Sequence, residues 1–103
     1  MNAVRTALIE ERRWFTLDAI AQMETRKLNE QIILRVLHQA GRPANTEDLR
    51  NDLLLLERAD CVRIEKLPGH AGGELWVAEL TANGLSTRDC LRTVHGVASR
   101  RPL

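Results

Sequence analysis

The chain has 103 residues, with 15 Lys or Arg against 14 Asp or Glu, a formal net charge of +1 and two cysteines. That length suits one domain whose single core needs no disulfide or structural metal. Near-neutral charge argues for neither a nucleic-acid partner nor an anionic membrane, and no apolar run approaches the ~20 residues that cross a bilayer.

The charge is nevertheless uneven. Residues 42–80 carry five bases and eight acids, whereas residues 81–103 carry four bases and one acid. Cys61 and Cys90 have neither a CxxC partner nor a His at zinc-finger spacing, so buried free thiols in a reducing cytosol fit best. The N-terminal "MNAVRTALIEERRW" has acids where a signal peptide would be apolar, and a cytoplasmic chain is expected. No cofactor or metal is expected.

Residues 1–25 read as a long first helix. Val4, Leu8, Phe15 and Ala19 form a stripe that Met23 extends. Ile9, Trp14, Leu17 and Ile20 lie outside it, so the helix must bury more than one side. A second subunit is the natural cover, with a wrapped-around core as the alternative. "ETRKL" then breaks the pattern. Asn29 caps a second helix whose buried face is Ile32, Ile33, Val36, Leu37 and Ala40. Gly41 and Pro43 end it, and Asn45 or Thr46 caps a third, so residues 29–60 read as a helix-turn-helix.

After Cys61 the period becomes two. "VRIEKL" alternates Val62, Ile64 and, after a slip, Leu67 against Arg63, Glu65 and Lys66. "ELWVAEL" places Leu75, Val77 and Leu80 on one side and Trp76 on the other. With "PGHAGG" between them, residues 62–80 read as a β-hairpin. Thr81 caps a fourth helix within 81–96, although Gly84 weakens its first turn. Residues 97–103, "VASRRPL", read as a mobile tail.

The run "LRNDLLLLERADCVRIEKL" resembles the stretch joining recognition helix to wing in ArsR-like and MarR-like regulators. "ADCV" stands where Gly-Leu-Val is usual there, and "ELTANGLSTRDCL" is similar to the "LT..G" opening of their post-wing helix. The whole chain also resembles small winged-helix proteins of Mu-like phages and prophages, through "ERR" (Glu11, Arg12, Arg13), "DL..L", "LT..G" and the terminal "GVASRRPL". The resemblance implies a mainly α fold with a small β-hairpin: a winged helix-turn-helix with a long N-terminal helix.

A recognition helix lies against DNA, yet residues 46–61 hold five acids (Glu47, Asp48, Asp52, Glu57, Asp60) and only two bases. On a helical projection Leu49, Leu53 and Leu56 are core, while Asn51, Arg50 and Arg58 are the credible base or phosphate contacts. Lys66 and His70 near the hairpin tip, Arg12 and Arg13, Arg26 and Lys27, and Arg100 and Arg101 in the tail would have to help. Leu54 and Leu55 on the outer arc, with Trp14, Leu17 and Trp76, point instead to a homodimer or partner surface.

The leading expectation is a small phage-type winged-helix protein that binds double-stranded DNA, a transcriptional regulator. The alternative is a winged-helix protein–protein module, an assembly or packaging accessory, whose acidic third helix does not read DNA. No enzyme is expected: the three histidines fall on separate elements, and no GxSxG, P-loop, HExxH or GxGxxG is present.

Overall fold

The structure, a computed structural model, describes residues 2–102. It contains helices α1 (Ala3–Ala21), α2 (Glu30–Gln39), α3 (Thr46–Arg58) and α4 (Ala82–Arg88), and strands β1 (Lys27–Asn29), β2 (Val62–Pro68) and β3 (Glu74–Leu80). The strands form one antiparallel sheet in the order β1-β3-β2. The fold is therefore mixed α/β, four helices on a three-stranded sheet, rather than helices with a bare hairpin. β1 was not expected: three residues are too few to show alternation, and its pairing partner lies some fifty residues on, with Lys27 opposite Glu79.

The burial of α1 differs from the stripe drawn on the sequence. Val4, Leu8 and Met23 are 68%, 44% and 41% exposed, whereas Trp14 and Leu17 are 2% and 0% exposed. The C-terminal half of α1 packs against α2, α4 and the sheet, so it is covered on several sides by its own chain. Trp14 further donates its indole N–H to the Arg88 carbonyl at 2.9 Å. The wrapped-around core is what the chain adopts, and Trp14 and Leu17 are not available to another subunit.

Each helix end is set by local chemistry. Asn29 accepts from the Ile32 N–H to start α2. Asn45 and Asp48 form a reciprocal capping box at the start of α3. Three helices close in the same way, with a left-handed residue after the cap: Gly41 (φ 72), Asp60 (φ 61) and Cys90 (φ 61). The next N–H in each case bonds back one further turn: Arg42 to Leu37, Cys61 to Leu56 and Leu91 to Ser86. That closure stops α4 at Arg88, well short of residue 96, and leaves Cys90 exposed while Cys61 is buried. The expectation of two buried thiols holds for Cys61 alone.

Leu49, Leu53 and Leu56 are fully buried and pin α3 to the core. The hairpin keeps strict alternation, with no slip. Trp76, Ala78 and Leu80 face the helices, while Leu75, Val77 and Glu79 are only partly covered. Trp76 thus faces inward, the reverse of the expected phase, and Leu67 faces outward beside Leu75, with which it is in register. The last residues are also tied down. Val97 is 5% exposed. The Ala98 N–H bonds the Glu10 carbonyl at 3.1 Å, and the Arg101 guanidinium lies 5.9 Å from the Trp14 ring centre. Residues 97–102 of the segment expected to be a mobile tail run back along α1, and Leu103 lies outside the described residues.

Candidate interaction face of the third helix

The outward side of α3 and the adjoining hairpin are fixed by one ion pair. Arg50 donates from Nε to Glu30 Oε1 at 2.7 Å and from Nη2 to Glu30 Oε2 at 2.8 Å. Nη2 also donates to the Glu74 carbonyl at 3.0 Å. Glu30 Oε2 in turn accepts from the buried Trp76 N–H at 2.7 Å.

Ladder parity explains this arrangement. The Leu80 N–H bonds the Arg26 carbonyl, so alternate residues of β3 (80, 78, 76) turn their hydrogen-bonding groups toward β1. β1 stops at Asn29, opposite Val77. The next partner for Trp76 would be residue 30, and the Glu30 side chain takes that place. Arg50 then covers the Glu74 carbonyl one step further along the same edge. The pair extends a strand that has ended, which satisfies the buried Trp76 N–H that would otherwise be costly and also engages the exposed Glu74 carbonyl.

Burial opposes ionisation of Glu30, but the hydrogen bonds from Arg50 and Trp76 and the nearby guanidinium charge outweigh it and hold the carboxyl below its ordinary value. The hydrogen bond to Glu30 holds Arg50 above its own ordinary value despite partial burial. Trp76 receives two cations, with the Arg50 guanidinium 4.8 Å and the Lys66 ammonium 4.7 Å from its ring centre.

A second cluster spends two more of the expected cations. Asp52, 1% exposed, accepts from Arg12 Nε at 2.7 Å and from Arg13 Nε at 2.9 Å. Arg13 also reaches the Gly96 carbonyl at 2.9 Å. Glu11 accepts from Arg42 Nε at 3.0 Å. The whole "ERR" triplet is thus internal wiring that ties α1 to α3, to the α2–α3 turn and to the C-terminal segment. Asp52, one of the five acids counted along residues 46–61, is a core residue. The hydrogen bond to Asp52 likewise holds Arg12 above its ordinary value.

The expected site residues therefore separate. Asn51, Arg58, Lys66, His70, Arg100 and Arg101 are exposed. Arg50 is held by Glu30, and Lys66 is folded over Trp76. Arg100 and Arg101 lie along α1, where they line a groove with Ala7 and Glu10. Leu54 and Leu55 are half-buried against the core, with Leu55 close to Gly96, so neither stands out from α3 as a free apolar knob.

Among the described residues, Glu47, Glu57 and Asp60 carry no ion pair, and Arg58 is the single unpaired base of α3. Nor does any group of three or more His, Cys, Asp or Glu stand together as a metal site among them. Among the described residues, no helix is long and apolar enough to cross a membrane. Glu30 is the residue that the sequence reading missed. An acid at the first position of a helix is unremarkable, and its partners lie 20 and 46 positions away.

No family model, no curated protein and no solved structure matches the chain.

Proposed function

We propose that the chain is a winged-helix domain that serves as a protein-docking module rather than a reader of duplex DNA. The sheet order β1-β3-β2, with β1 between α1 and α2 and with α3 leading into the β2–β3 hairpin, supports the winged-helix reading. The observation that carries the functional reading is the bidentate hold of Glu30 on Arg50. With Nε and Nη2 both engaged, Arg50 cannot present the two-pronged donor that guanine recognition requires. The remaining surface of α3 and the turn after it, Glu47, Glu57 and Asp60 against Arg58, repels phosphates more than it attracts them. A partner of basic or mixed charge suits it better. The resemblance to small proteins of Mu-like phages points to assembly or packaging machinery as the source of that partner.

The second reading, a DNA-binding regulator, is favoured by the same topology together with exposed Asn51 and Arg58 and a glycine-rich hairpin tip (Gly69, Gly72, Gly73). Fluorescence anisotropy with a labelled duplex at about 50 mM salt separates the two, because non-specific DNA binders reach dissociation constants of ~1–100 µM even at physiological salt. The expected result is no saturable binding. Saturable binding that Arg58→Ala weakens would favour the regulator.

A further inference from the structure

We propose that Glu30 sets the ligand selectivity of the α3–hairpin face: by neutralising Arg50 it keeps nucleic acid off a surface that would otherwise admit it. The inference rests on the docking reading above and names the residue that enforces it.

The structural duty of Glu30 is to accept the Trp76 N–H at 2.7 Å where β1 has run out. A neutral amide oxygen can also accept that bond, though less strongly than a carboxylate, so capping the strand needs an acceptor and not a negative charge. The charge acts chiefly on Arg50, through the bonds from Nε and Nη2. Arg50 is no deep core residue: its side chain is 29% exposed, and among the described residues its Nη1 has no partner. Asn51 is exposed beside it in the chain, and Lys66 lies over the same indole.

Four charges meet here, Arg50 and Lys66 against Glu30 and Glu74, and they cancel. Removing the Glu30 charge leaves a net positive patch, with Nε and part of Nη2 released, at the junction of α3 and hairpin. That is the chemistry a phosphodiester backbone recognises. The acid on Glu30 thus adds stability through Arg50, but the strand cap itself needs only an acceptor, and the charge is what decides the character of the surface.

The test is duplex binding by anisotropy for wild type, Glu30→Gln and the double variant Glu30→Gln/Arg50→Gln, with thermal melts to establish folding. Wild type is expected not to bind. Glu30→Gln is expected to bind at least tenfold more tightly than wild type, with a dependence on salt that wild type lacks. Adding Arg50→Gln is expected to remove that gain.

A folded Glu30→Gln chain with no gain overturns the proposal, and so does a gain that survives Arg50→Gln. Should Glu30→Gln not melt cooperatively, the carboxylate is required by the fold and the proposal fails. Failure of the docking reading looks different: wild type itself would then bind the duplex.

Discussion

Gly84 illustrates how a residue that weakens its own helix can be indispensable to the fold. A glycine in the first turn of α4 lowers helix propensity, which is all that local sequence reveals. A Cβ at this position would stand 2.1 Å from the Cys61 carbonyl oxygen and 2.6 Å from Leu80 Cδ1. The opening turn of α4 therefore sits directly on the α3–β2 junction, and only hydrogen fits between them. Gly84→Ala is expected to destabilise the chain by about 2–3 kcal/mol, the upper part of the range for overpacking, because the nearest atom is backbone and cannot swing away. Urea unfolding measures it. A loss below about 0.5 kcal/mol would mean that α4 shifts freely on that junction. Glu30 and Arg50 are the opposite case, since each looks ordinary alone and their pairing exists only in three dimensions.

At the level of elements, α2 and α3 were legible because their signals are local: an Asn cap, leucines at helical spacing, and a glycine or a polar residue at the stop. The hairpin was legible from its alternation and glycines, but its phase was not. "ELWVAEL" is apolar on both faces, and the large indole finds its cover under Arg50 and Lys66 rather than in solvent. α1 was misread for a related reason. Its stripe at spacing four is real, but the half of the helix that enters the core is buried all round. β1 escaped notice because nothing within its three residues marks it as a strand.

The helix ends also carry a prediction. Asp60 occupies a left-handed position (φ 61) where a glycine would meet no Cβ penalty. Asp60→Gly should stabilise the chain by about 0.5–1 kcal/mol, the left-handed strain relieved less the entropy that glycine adds to the unfolded chain. Thermal denaturation reads the sign directly. A destabilised variant would show that the Asp60 side chain contributes more than its strained backbone costs.

Across the whole molecule, the near-neutral charge hides a network in which most arginines near the core are already paired: Arg12 and Arg13 with Asp52, Arg42 with Glu11, Arg50 with Glu30, and Arg88 with Asp18. Counting bases along the sequence overstated the cations on offer to a ligand. The same count included Asp52, which is buried.

This network makes the fold sensitive to acid. The Glu30 carboxyl is held below its ordinary value of 4.5, so the stability it contributes is complete above that pH and is lost as pH falls through its lower folded-state value. Wild type should therefore exceed Glu30→Gln in melting temperature at pH 7, and the gap should narrow once the pH drops below 4.5. A gap that stays constant down to pH 3 would mean that Glu30 and Arg50 are not paired in solution.

The claim on which the functional account depends is that Arg50 is held by Glu30 and withheld from any ligand of α3. The most direct measurement is the arginine Nε–H region of a ¹⁵N-correlated NMR spectrum, recorded with and without a DNA duplex at low salt. The account predicts a resolved, slowly exchanging Arg50 Nε–H that shifts on Glu30→Gln and does not move when duplex is added. An Arg50 signal averaged with the exposed arginines, or one that shifts as duplex is titrated in, would contradict it.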